Sequence, residues 1–195
     1  MYKWYINLVM NLIEHIKLIP VKYHKPIKKF FMILYYTITK LTVILLLNFF
    51  FKTLKEALIV SVIFMLLRGF AQGIHSKKNW VCWIITLLVF VSTPQLIKHL
   101  DINYHLIIFS YPLFILNVIL FAPNDTEKNP LKNKWTRISL KIISTVIVIG
   151  YFFYSINYQN TISDAMYYAT IISLVSFHPV TYKIFKRDSY NYRYL

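Results

Sequence analysis

Six apolar stretches separated by basic or polar segments constrain this chain more than any motif does. They cover residues 30–51, 54–67, 80–97, 106–121, 138–156 and 162–184. A helix crosses about 30 Å of hydrocarbon with roughly 20 residues, or about 17 when its end residues reach toward the headgroups. The expected fold is therefore all-α: a polytopic membrane protein of six transmembrane helices, forming one integral membrane domain over residues 1–195. The second and fourth stretches are short for a span. The content of hydrophobic residues, 57%, is above that of an ordinary soluble domain.

The charge pattern orients these spans. The chain has 22 Lys and Arg against 7 acidic residues, a net charge of +15. Such an excess is also a mark of nucleic-acid binding, but here it is confined to the ends of apolar runs, which is a topology signal. Lys22, Lys25, Lys28 and Lys29 precede the first run; Arg68, Lys77 and Lys78 follow the second. Lys128, Lys132, Lys134 and Arg137 follow the fourth, and Lys186, Arg187 and Arg193 end the chain. The opposite side has only Lys52, Lys55 and Lys98. The positive-inside bias thus puts both termini and the even loops in the cytoplasm.

Ahead of the spans, Tyr5, Leu8, Val9, Leu12, Ile13 and Ile16 recur at helical spacing. This reads as an amphipathic interfacial helix ended by Pro20, within a basic N-terminal segment of residues 1–29. Residues 185–195 form a tail. No compact apolar run with a small-residue cleavage site opens the chain. Its single cysteine precludes an internal disulfide. Lys40 and Asp164 fall within or near spans, where an ionisable group marks either a functional path or a structural pair.

The most informative segment is the junction from Leu67 to Cys82. Two of the chain's three glycines, Gly69 and Gly73, lie there, so the backbone is expected to bend. His75 and Cys82 stand seven positions apart. On a straight helix that spacing separates the two Cα atoms by about 10.5 Å, whereas proton transfer needs roughly 3 Å or one bridging water. If the two act together, Ser76, Lys77, Lys78 and Asn79 must form a loop that folds His75 back over Cys82. A thiol beside an imidazole is an activated nucleophile. Arg68 offers positive field or a carboxylate anchor, and Gln72, Asn79 and freed backbone N–H groups are candidate oxyanion donors. By residue type alone, a cysteine in apolar surroundings is more often a small core residue. His15, His24, His99, His105 and His178 have no comparable partner and are read as structural.

Arg68, Gly73, His75 and Cys82, spaced R-x4-G-x-H-x6-C, resemble the AgrB family of membrane peptidases in Gram-positive quorum sensing. Lys40-Leu41 upstream supports the resemblance, as do Ala122-Pro123 and Lys128-x-Pro130 in the fourth loop. It implies a cysteine endopeptidase of the bacterial cell membrane with its active site on the cytoplasmic side, Cys82 as nucleophile and His75 as general base. The implied substrate is an AgrD-like propeptide with an amphipathic leader, a signal segment and an acidic tail. Cys82 would release the tail and form an acyl-enzyme thioester, which a thiol or hydroxyl of the peptide displaces to close a thiolactone or lactone. Gly73 would belong to the supporting backbone. Lys77, Lys78, Lys128, Lys132, Lys134 and Arg137 would attract the acidic tail beside low-dielectric walls. The lipid bilayer is the other partner. No cofactor, metal ion or nucleic acid is expected, and the resemblance allows a homodimer. Some relatives carry a second histidine where this chain has Gln72. A small transporter or a peptide-binding scaffold is the alternative reading; a transporter would depend on Lys40 and Asp164 rather than on Cys82.

Overall fold

A computed structural model describes residues 24–74, 79–100, 102–125, 131 and 133–186. Its regular elements, among the described residues, are seven helices: α1 (His24–Phe50), α2 (Leu54–Ala71), α3 (Asn79–His99), α4 (Tyr104–Phe121), α5 (Lys134–Asn157), α6 (Thr161–Phe177) and α7 (Pro179–Ile184). The first five apolar stretches each form one helix, and the sixth forms two. Three helices are long and apolar enough to cross a membrane: Trp80–His99, Tyr104–Phe121 and Lys134–Asn157. The others fall short for identifiable reasons. The apolar part of α1, Leu34–Phe50, is only 17 residues long. Helix α2 carries Lys55, Glu56 and Arg68. Helix α6, at 17 residues, is about 26 Å long.

The chain divides into two compact units, Met1–Leu47 and Asn48–Leu195. In the first, α1 begins at His24, so Lys25, Lys28 and Lys29 are helical rather than part of a linker to a span at residue 30. Thr39 and Thr42 return their hydroxyls to the carbonyls of Tyr35 (2.8 Å) and Ile38 (2.9 Å). Such back-bonding lets a hydroxyl sit in an apolar helix. Lys40 is half-buried on this helix. The amphipathic segment expected before Pro20 lies outside the described residues.

In the second unit the largest helix interface is between α2 and α6; α4 packs on α5, and α6 also meets α3, α4 and α5. Small buried residues explain the central place of α6: Ser163, Ala165, Ala169, Thr170 and Ser173 let neighbouring backbones approach. Large apolar side chains point the other way, with Leu88, Phe109, Leu113, Val146 and Phe153 all exposed. Small and polar residues inside, large apolar ones outside, is the arrangement expected of a protein whose solvent is lipid. Aromatic rings fill the remaining volume around the buried Tyr111, whose ring meets those of the half-buried Phe152 at 5.4 Å and Phe114 at 5.6 Å. The Tyr151 hydroxyl donates to Ile63 O at 3.0 Å.

The two ends of this bundle are held differently. At one end Pro94 interrupts α3. A proline offers no N–H to the carbonyl four residues back, which is Phe90. Asn48 supplies the missing donor, its Nδ2 lying 3.0 Å from Phe90 O. Asn48 is fully buried, and its Oδ1 accepts from Thr53 Oγ1 at 2.9 Å, itself an acceptor for Gln95 Nε2 at 3.1 Å. Lys98 closes this end by donating to Lys52 O. The carboxyl ends of α2, α4 and α6 meet at the other end, so consecutive helices from α2 to α6 run up and down.

The sixth apolar stretch is not one helix, contrary to expectation. It breaks at His178, which is extended (φ −67°, ψ 136°) ahead of Pro179. The proline ring forces the preceding residue out of the helical region and supplies no N–H. Helix α5 likewise starts earlier than expected, at Lys134, because Asn133 caps it by accepting from Trp135 N at 2.9 Å.

Candidate functional site

Pro179 generates the site's framework. The last four carbonyls of a helix have no partner within it, and at the end of α6 each has found one. His178 N donates to Leu174 O at 2.9 Å, and Thr181 Oγ1 donates to Val175 O, the carbonyl Pro179 leaves bare, at 2.5 Å. The other two partners come from distant segments: Ile74 N donates to Ser176 O at 2.9 Å, and Asn124 Nδ2 to Phe177 O at 2.8 Å. The broken helix is therefore the point to which the loop after α2 and the loop after α4 are both tied.

Arg68, in the last turn of α2, completes the connection. Its Nη1 donates to Gln72 O and to Ser176 Oγ (2.5 Å), and its Nη2 donates to Ile74 O at 2.8 Å. Ser176 Oγ in turn donates to Ser173 O at 2.6 Å. No carboxylate pairs with Arg68 among the described residues. Its charge is met by the carbonyls of Gln72 and Ile74, just beyond the carboxyl end of α2, and by the Ser176 hydroxyl in the last turn of α6, a setting that favours a cation. Three of its N–H donors are thus taken by the chain itself, so its placement is that of a brace rather than an open anchor for a substrate carboxylate.

The brace explains the backbone at residues 72–74. Gln72 adopts a positive φ of 55° and Gly73 one of 133°. Gln72 is held there by Gln72 N donating to Arg68 O at 3.1 Å, by its carbonyl on Arg68, and by a bridge to Asn124. Its carbonyl and N–H are thereby engaged by the chain. Gly73 is buried, and a Cβ there would collide with the Arg68 guanidinium and come within 2.8 Å of Ser176 O. Only glycine fits. The bend expected from two glycines is centred on Gln72 and Gly73, while Gly69 is an ordinary helical residue with open space around it.

Asn124 locks the loop after α4. Its N–H donates to Ala71 O at 3.3 Å, and its own carbonyl accepts from Tyr182 Oη at 3.0 Å. It follows the cis Ala122-Pro123 bond, and both Asn124 and Tyr182 are almost wholly buried. Asp125 is buried next to it and is anchored, which its sequence position did not indicate: Oδ2 accepts from Leu131 N at 3.0 Å. Arg137 Nη2 donates to Leu131 O at 2.6 Å. Arg137 and Lys134 therefore belong to the first turn of α5 instead of a loop, and Arg137 is turned toward its own chain.

Cys82 lies in the first turns of α3, half-buried and without a disulfide. Its carbonyl accepts from Thr86 Oγ1 at 2.7 Å. Asn79 is the first residue of α3 rather than the last of a loop. His75, Ser76, Lys77, Lys78, Glu127, Lys128 and Lys132 lie outside the described residues. Of the sequence candidates, the fold brings Arg68, Gln72 and Gly73 together, and Cys82 stands in the first turns of α3. Sequence reasoning missed Ser176, Asn124, Tyr182 and the anchoring of Asp125. The one available signal was Pro179, a helix breaker inside an apolar run.

These features define a class: an all-helical membrane protein with a single cysteine in the first turns of one helix and a half-buried arginine bracing the end of another. The family model described as AgrB, Accessory gene regulator B, matches residues 6–180, and the chain belongs to that family. This bears out the resemblance drawn from Arg68, Gly73, His75 and Cys82. A putative AgrB-like protein of Clostridium acetobutylicum is 32% identical over 82% of this chain and 77% of its own length. One from Listeria monocytogenes is 30% identical over 71% of this chain and 69% of its own. The accessory gene regulator protein B of Staphylococcus aureus is 28% identical over 49% of this chain and 51% of its own. No solved structure matches the chain. Membership ties the protein to accessory-gene-regulator quorum-sensing processing.

Proposed function

We propose that this protein is a membrane-embedded cysteine endopeptidase that removes the acidic tail of an AgrD-like propeptide and allows the remaining peptide to cyclise. The observation that carries the reading is Cys82 in the first turns of α3, with the chain that leads towards it held at Ile74 by Arg68 and Ser176. His75 takes the thiol proton. The thiolate attacks the carbonyl at the end of the signal segment, the C–N bond breaks, and the tail amine leaves with the proton from the imidazolium. A thiol or hydroxyl within the bound peptide then attacks the thioester, the C–S bond to Cys82 breaks, and the Cys82 thiol is restored. Exchange of one thioester for another conserves bond type, so closing a thiolactone from the acyl-enzyme needs no ATP. A pocket beside the bilayer would keep water from the acyl-enzyme.

The proposal extends to topology. Six spans with both termini in the cytoplasm would put the braced end of the bundle, with Arg68, Lys134 and Arg137, at the cytoplasmic face, in keeping with the positive-inside bias. Lys77, Lys78, Lys128, Lys132 and Lys134 would draw in the acidic tail. The test is mass spectrometry of purified protein in liposomes with candidate propeptide. Wild type and Cys82→Ser are expected to differ, the first giving a tail-less acyl adduct on Cys82. Tail release by Cys82→Ala at the wild-type rate would remove the peptidase reading.

A further inference from the structure

Ile74 immediately precedes His75, and both of its backbone polar groups are held. Its N–H donates to Ser176 O at 2.9 Å, and its carbonyl accepts from Arg68 Nη2 at 2.8 Å. The same serine presents its hydroxyl to Arg68 Nη1 at 2.5 Å. Ser176 thus holds the Ile74 segment in two ways, directly by its carbonyl and indirectly through the guanidinium.

The carbonyl is available only because α6 stops. In an unbroken helix Ser176 O would accept from Val180 N. Here Val180 N instead donates to His178 Nδ1 at 3.3 Å, and Pro179 has no N–H to offer Val175 O. The break thereby converts an internal helix carbonyl into an outward docking point for a segment more than a hundred residues away in sequence.

We propose that Ser176 is a positioning residue for the Cys82 reaction: with Arg68 and the Pro179 break, it fixes the point from which the chain enters the His75 segment. This rests on the peptidase reading above. A dyad tolerates little displacement, since a shift of about 1 Å in a reacting group can lower the rate on the order of 100-fold. Ser176 touches no reacting atom, so its removal acts on kcat through geometry and leaves substrate affinity largely intact.

The test compares wild type, Ser176→Ala, Ser176→Thr, Pro179→Ala and Cys82→Ala in liposomes with the same propeptide, each rate divided by the amount of folded protein. Ser176→Ala is expected to lower kcat roughly 10- to 100-fold with KM within about twofold. Ser176→Thr, which keeps the hydroxyl, is expected to stay within about threefold of wild type. Pro179→Ala lets α6 continue and compete for Ser176 O, so it is expected to lower kcat without any change at Ser176. Unchanged kcat in Ser176→Ala overturns the inference, and so does a loss that disappears once rates are corrected for folded protein. An inactive Cys82→Ala beside a fully active Ser176→Ala leaves the peptidase reading standing and removes only this one. Cleavage by Cys82→Ala removes both.

Discussion

Gly69 and Gly73 lie one helical turn apart, yet substitution by alanine is expected to have opposite signs at the two positions. At Gly73 the φ of 133° is one that L side chains rarely adopt, and holding alanine in such a region costs about 1–3 kcal/mol. The new Cβ would also overlap the Arg68 guanidinium and crowd Ser176 O at 2.8 Å. Relief requires Arg68 to move, which sacrifices at least one of its three hydrogen bonds. A bond to a charged group contributes about 1.5–3 kcal/mol, so the sum is about 3–6 kcal/mol. Gly69 has a helical backbone and faces outward, and a methyl added there would meet nothing within 4 Å. Alanine there is expected to stabilise α2 by about 0.5–1 kcal/mol. Equilibrium unfolding of detergent-solubilised wild type, Gly69→Ala and Gly73→Ala measures both. A Gly73→Ala protein within about 0.5 kcal/mol of wild type would refute the brace, given these bond energies. So would a Gly69→Ala protein destabilised as much as Gly73→Ala.

Other expectations follow from the two ends of the bundle. Asn48→Leu removes the donor to Phe90 O and the acceptor for Thr53 Oγ1, and is expected to cost about 2–4 kcal/mol in the same unfolding assay. Adding Pro94→Ala should recover about 1 kcal/mol of this, because residue 94 then donates to Phe90 O itself; strict additivity of the two substitutions would contradict that account. Tyr182→Phe strips the buried donor from Asn124 O and is expected to cost about 1–2 kcal/mol. Because Asn124 holds the loop that leads to Lys128, Tyr182→Phe should raise KM for a propeptide with an acidic tail more than for one with a neutral tail. Equal KM changes for both peptides would separate this contact from tail recognition.

Much of the fold was legible in the chain because its determinants are local. Runs of about 20 apolar residues demand helices whatever their neighbours are, and all six appear. The polar rim was less legible. Asn133 at the start of α5 and Pro179 within the sixth run are recognisable local signals, and they moved a boundary and split a helix as capping and proline chemistry require. Asp125 gave no hint of its anchoring, since its partner Leu131 N is six residues away and no local pattern specifies the pairing.

The junction around residues 68–82 divides in the same way. The sequence by itself determined that the chain bends there, because Gly73 permits a backbone that other residues do not, and that the single cysteine stands just beyond the bend. Only the tertiary structure decided what Arg68 does. Its partner Ser176 is 108 residues away, and that partnership exists because Pro179 ends α6 and leaves carbonyls that must be satisfied. Local sequence specifies which backbone groups lose their helical partners. Packing of α2 against α6 specifies which distant groups replace them.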